Sequence, residues 1–288
     1  MALQWSPMKK AKSPICLLLC LTLSACGPGG AEAEQPTDIP QRSFAVAGDQ
    51  TVQIEVNVGL IRVVGIPGDE VEVEGKLLYP AQTDFDVTES PAGLNVSANY
   101  RGSSSPNQAN PPVEVEVRVP FGQPMRITTT NASTELNDYD GSAEVSSVAG
   151  DIRARNLTGT LWLRSRRGAL AVVGGKGEFH LVGESGPVTI DGTDGEVAAT
   201  TIMGDISYLG TVSADEGVRL EADHGAVEIR LGGESNANVT VSTASGFIRC
   251  MLPDLHPVIR GCSGTLQDGA GNLEVRTVSG AVTIQNIP

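Results

Sequence analysis

Large side chains are scarce in this sequence: aromatic residues make up only 4% of the 288 positions, while glycine occurs 34 times. A core must then be thin and filled by Val, Ile, Leu and Ala, which argues for stacked strands and against a helical bundle. Positive charge is also scarce, with 20 Lys and Arg against 34 Asp and Glu and a formal net charge of −14. Such a surface repels polyanions, so nucleic acid is excluded as a partner class. It favours solubility and attracts cations or basic partners. Only three histidines occur, His180, His224 and His256. No nucleophile elbow, zinc-ligand spacing or phosphate-binding loop is present, and no cofactor, metal or catalytic residue is expected.

Long apolar runs are missing as well. Residues 8–26 read MKKAKSPICLLLCLTLSAC, and the run from Ile15 to Ala25 is too short for a hydrocarbon core that takes roughly 20 helical residues. Lysines before it and small residues after it mark a secretory signal over residues 1–25. Leu23, Ser24, Ala25 and Cys26 resemble the lipobox of bacterial lipoproteins. That resemblance implies a diacylglyceryl group on Cys26 and a protein held by its lipid at the cell membrane or outer membrane, facing the periplasm or the exterior. Residues 26–43, rich in Gly, Pro and Glu, read as a flexible tether.

Loss of Lys9, Lys10 and Lys12 with the signal leaves 17 basic against 34 acidic residues, a formal charge of −17. Cys16 and Cys20 leave with it and Cys26 takes the lipid. Cys250 and Cys262 remain, and an even pair outside the cytoplasm implies a disulfide.

What the chain does have is a period. Gly150, Gly159, Gly168, Gly177, Gly186, Gly195 and Gly204 recur every nine residues. The second and fourth positions after each are apolar, as in Ile152 and Ala154, Leu161 and Leu163, Leu170 and Val172. A spacing of two puts both side chains on one face of a strand, and the glycine supplies a corner. Two units make an 18-residue coil whose two strands face each other, so the expected fold is an all-β solenoid.

Val197, Val218 and Val239 are 21 apart, as are Ile206, Val227 and Ile248, which predicts wider coils stacked in chain order. One coil cannot fold alone. Four inward side chains at about 1.5–3 kcal/mol each do not offset about 1–2 kcal/mol of backbone ordering for each residue of the coil, so neighbours must stack. Residues 44–120 read as an amino-terminal β cap containing a long hairpin loop at 100–112, and 121–288 as the repeats, with an insertion at 253–272. Residues 44–288 form one continuous domain in this reading.

The chemistry of this pattern is bland. A calcium β-roll repeats an Asp in every turn, whereas the comparable positions here hold Asn156, Arg166, Gly174, Glu184 and Ile202, with only Asp191 and Asp194 clustered. Arg153, Arg155, Arg164, Arg166 and Arg167 form a basic strip near Asp151, a candidate patch for an acidic glycan or a surface protein. Exported β-helix polysaccharide lyases and hydrolases are the enzymatic alternative, and they need convergent carboxylates in a groove.

Several stretches together, VNVGLIRVVG at 56–65, VEVEVRVP at 113–120, SVAGDIRA, SRRGALAV, ESGPVTI and IMGDISY in the turns, and LEVRTVSGAVTI at 273–284, resemble a bacterial putative-adhesin family of exported solenoids. The resemblance covers about residues 44–287. It implies a non-enzymatic envelope protein with an adhesive or structural role and supplies no catalytic residues. Ala132 departs from it by standing where a turn glycine is expected.

Overall fold

A computed structural model describes residues 35–102 and 110–287, which lie in one compact unit, Glu34–Pro288. Among these residues the structure is all-β, apart from one 3-10 turn at Pro80–Gln82. The first strands are β1 (Thr37–Ala45), β2 (Thr51–Ile66), β3 (Glu70–Leu77), β4 (Thr83–Ser90), β5 (Gly93–Tyr100) and β6 (Val113–Pro120). β7 (Met125–Asn137), β8 (Asp140–Ser147), β9 (Ile152–Ser165), β10 (Leu170–Gly183), β11 (Val188–Thr201) and β12 (Ile206–Gly210) follow. The chain ends with β13 (Gly217–His224), β14 (Val227–Leu231), β15 (Ala237–Thr243), β16 (Ile248–Cys250), β17 (Leu255–Val258), β18 (Gly261–Thr265), β19 (Gly271–Ser279) and β20 (Val282–Asn286). All twenty join one large, open hydrogen-bonded sheet.

The nine-residue period fixes the registers in the middle. β9, β10 and β11 are parallel, with Ile152, Leu170 and Val188 aligned at one end and Leu161, Phe179 and Val197 at the other. All six are buried. Each strand runs through a corner at Gly159, Gly177 or Gly195, where φ is +113°, +137° and +124°, a region that L-residues with a Cβ rarely enter. The alternate glycines serve a different purpose. At Gly168, Gly186 and Gly204 no positive φ is required, but a Cβ would land on the carbonyl oxygen of Gly150, Gly168 or Gly186, 18 residues earlier.

Buried hydroxyls complete this second corner. The N–H groups of Gly150, Gly168 and Gly204 donate to Ser147 Oγ, Ser165 Oγ and Thr201 Oγ1 at 2.8, 2.8 and 3.0 Å. They satisfy corner amides that the ladder leaves out.

The amino-terminal region is continuous with this ladder. β2 bends through Gly59 (φ +150°) and pairs in parallel with β7 on both sides of the bend, Val52 with Met125 and Ile61 with Thr134. Ala132 is the register partner of Gly59 and is fully buried.

Two expectations fail here. Thr37–Ala45, within and just past the predicted tether, is strand β1, antiparallel to β3. Ile39 and Phe44 bury against the core, and the register slips between Ile39 and Arg42 where Pro40 has no N–H to give. Such a strand is tolerated at an edge. Residues 100–112 do not close a hairpin either, because β5 pairs with the first half of β2 and β6 with the second. Residues 103–109 lie outside the described ones.

A third departure lies at the carboxyl end. Val197 pairs with Val218 and Ile206 with Val227, as the 21-residue spacing predicts. Val218, however, pairs with Leu273, and Leu273 with Val239. Likewise Val227 pairs with Val282, and Val282 with Ile248. The final strands β19 and β20 are thus interleaved between two earlier pairs, β13–β14 and β15–β16. The insertion at 253–272 explains part of this: its strands β17 and β18 form an antiparallel pair that covers the outer edge of β15, with Val241 opposite Cys262. A disulfide joins Cys250 to Cys262 with the Cα atoms 6.7 Å apart, and β15 is left with its inner edge for β19.

Candidate functional site

Alternation sends every second residue of each strand outward, so any site must be built from outward rows and from the turns between strands. The arginines predicted to form one strip are split by the corner at Gly159. Arg153 and Arg155 project from the first half of β9, Arg164 from the second, and Arg166 and Arg167 from the turn beyond it; all five are exposed. Arg153 contacts Asp151 at 3.4 Å, while Arg164 and Arg166 share Glu184 at 3.8 and 3.1 Å. Exposed pairs of this kind contribute little to stability. The structure therefore does not bring the five guanidinium groups together on one face.

A feature not singled out in the sequence stands beside Arg164. Trp162 and His180 are register partners on β9 and β10, both outward, and their rings stack with centroids 3.9 Å apart and planes 12° apart. Trp162 is 50% exposed, unusual for the residue type that gains most from burial. The signal was available: Trp162 and His180 occupy equivalent positions 18 residues apart, and a parallel ladder stacks equivalent positions. On either side of the rings the same row holds Glu144 and Ala198, and Glu144 is turned toward Arg126 at 2.8 Å. The result is a stacked aromatic pair, half open to solvent, with Glu144 on one side of it and Ala198 on the other.

Carboxylates also converge away from this row: Glu72, Glu74 and Glu116 surround Arg118 at 3.1, 2.8 and 2.8 Å, and a second group lies toward the carboxyl end. Asp191 and Asp194 line a shallow groove with Thr211, Ser213 and Glu234, and Asp194 also reaches Lys176 at 3.0 Å. Asp194 is hydrogen-bonded to Glu216. That bond and the Lys176 ammonium hold Asp194 below the usual carboxylate range, while burial and Asp194 push Glu216 up. The two carboxyl groups are in hydrogen-bonding contact, whereas those of a retaining glycosidase stand about 5–5.5 Å apart and those of an inverting one farther. Among the described residues, no three His, Cys, Asp or Glu side chains come together as a metal site.

Of the histidines, His224 Nδ1 lies 2.6 Å from Ser279 Oγ and His256 is exposed on β17. Exposed apolar side chains stand next to the corner glycines Gly204, Gly246 and Gly280, namely Ile202, Met203, Phe247 and Val278, and Ile259 is exposed in the turn between β17 and β18. Cys26 lies outside the described residues.

No family model matches the chain. No curated protein is significantly similar to it. Among solved structures it is similar to a putative adhesin from Parabacteroides distasonis at 12% identity and TM-score 0.46, over 88% of this chain and 98% of that one. It is also similar to putative adhesins from Bacteroides fragilis (14%, TM-score 0.44, 86% and 97%) and Parabacteroides merdae (10%, TM-score 0.44, 87% and 96%). Likeness at this level decides no residue's role.

Proposed function

We infer that the mature chain is a non-enzymatic envelope lipoprotein, anchored through Cys26, that presents a rigid two-walled β-solenoid as a binding surface for a glycan or a surface protein. The solenoid reading is supported by the parallel registers of β9 to β11 and the alternation of corner glycines. The anchor is supported by the lipobox-like sequence before Cys26 and by the length of the apolar run. The single observation that carries the binding role is the exposed Trp162–His180 stack. An exposed ring held in place by a second ring offers apolar contact area at little conformational cost, the property that makes Trp a frequent anchor of binding surfaces.

The test is a screen of the full chain against immobilised glycans and matrix proteins. Retention of at least one ligand class, without release of cleaved saccharide, is expected. A chain that retains nothing, or that depolymerises a polysaccharide, contradicts the reading.

A further inference from the structure

At the carboxyl end the coils do not stack in chain order. Beyond β13 and β14 come β19 and β20, and only then β15 and β16. The corner glycines follow the same spatial order: a Cβ on Gly280 would meet the carbonyl oxygen of Gly225, and one on Gly246 would meet that of Gly280. The last coil sits in a slot whose two walls both precede it in the chain.

Those walls match each other. Val218, Leu220 and Ala222 are followed 21 residues later by Val239, Val241 and Thr243, all six buried. Val227, Ile229 and Leu231 are followed at the same interval by Ile248, Cys250 and Leu252, and Gly225 by Gly246. With the last coil absent, β13 could meet β15 and β14 could meet β16, inward residue against inward residue and glycine against glycine. The step would be the same one that relates Val197 to Val218 and Ile206 to Val227. Register in a parallel ladder is set by the face pattern and the corners, and here both arrangements satisfy it. Closing a 21-residue interval also costs slightly less chain entropy than closing the longer intervals that place β19 beside β13 and β15.

We propose that the slot between β13–β14 and β15–β16 is a strand-acceptor site, filled here by the chain's own residues 271–286, and that this coil leaves the slot without global unfolding while the walls close in the 21-residue register. The ligand class is an extended strand pair with apolar side chains at alternate positions around a corner glycine, as Leu273, Val275, Gly280, Val282 and Ile284 supply. The inserted coil makes two ladder interfaces on each wall of the fold and the closed slot regains one, so insertion is the ground state. The β15–β18 pairing and the Cys250–Cys262 bond keep β15 to β18 together as one block in both arrangements.

Two pairs of outward cysteines in the full chain separate the arrangements. Arg219 and Glu274 are direct register partners in the inserted form, whereas Thr240 lies beyond Glu274. In that form Arg219 and Thr240 are two strand spacings apart, about 9.6 Å, beyond the ~7 Å that a disulfide spans. Arg219→Cys with Glu274→Cys is expected to cross-link fully under native oxidising conditions. Arg219→Cys with Thr240→Cys is expected to stay open at first and then to cross-link progressively in denaturant well below the global unfolding midpoint. Cross-linking of the second pair only in step with global unfolding, or its complete absence, overturns the proposal. So does immediate native cross-linking of that pair, because it would make the closed register the ground state. As a second measurement, hydrogen exchange of β19 and β20 should be at least tenfold faster than that of the flanking β13 and β15, and equal protection also overturns the proposal.

Discussion

Gly186 shows how one residue carries the fold. Its φ is ordinary, yet a side chain there would run into the carbonyl oxygen of Gly168 one coil away, and backbone cannot yield as a flexible side chain can. Gly186→Val is expected to cost about 2–3 kcal/mol. Thr189→Lys, exposed on the same coil, should stay within about 0.5 kcal/mol. Equal shifts of the urea midpoint would refute the register.

The Asp194–Glu216 pair makes a different residue-scale prediction. Glu216 is held above its ordinary value, so its proton favours the folded state at acid pH. That contribution is lost as pH rises from near 4.5, the ordinary glutamate value, through the folded value. Asp194 is shifted the other way, and its contribution is lost only as pH falls below the ordinary aspartate range. Glu216→Gln removes the upper of these two windows. Melting temperatures measured between pH 4.5 and 7 should show the variant gaining on the parent as pH rises, and a constant difference would contradict the raised Glu216.

Among the elements, β9 to β11 were legible in the sequence because one unit repeats without insertion, so glycine, apolar position and pairing partner all follow from the period. β1 was not, because Pro36 and Pro40 and the charged residues around Ile39 look like a tether until the strand is seen to need only two buried side chains, Ile39 and Phe44. The order of the last coils was not legible for a deeper reason. Three coils carry the same unit, and a period fixes register without fixing which equivalent coil is the neighbour.

The candidate site divides in the same way. Alternation places Arg153, Arg155 and Arg164 outward on β9, whereas Arg166 and Arg167 lie in the turn beyond it, and the corner at Gly159 that divides the strip follows from three-dimensional bending. The Trp162–His180 contact was implicit in the 18-residue step and went unread because neither residue belongs to the repeat signature. The hairpin β17–β18 depends on its crosslink: replacing Cys250 and Cys262 together by Ser should lower stability by about 2–3 kcal/mol, as expected for a loop this short. An unchanged urea midpoint would show that the pairing of β15 with β18 suffices alone.

At the scale of the whole molecule, the proposed architecture is a stiff acidic body at the end of a lipid anchor, with its distinguishing chemistry on one outward row. The anchor is testable in cells, where Cys26→Ser should abolish incorporation of radioactive palmitate, and undiminished labelling would remove the lipoprotein assignment. Once the proposed signal, which carries Trp5, is removed, Trp162 is the sole tryptophan left, so its fluorescence reports directly on the row proposed to bind. The most direct measurement is therefore retention on the ligand found by screening, compared between the parent, Trp162→Ala and Thr189→Lys, together with the fluorescence of the parent. The account predicts at least tenfold weaker retention for Trp162→Ala, unchanged retention for Thr189→Lys, and a saturable change in Trp162 emission on binding. Full retention by Trp162→Ala with silent emission in the parent would contradict it.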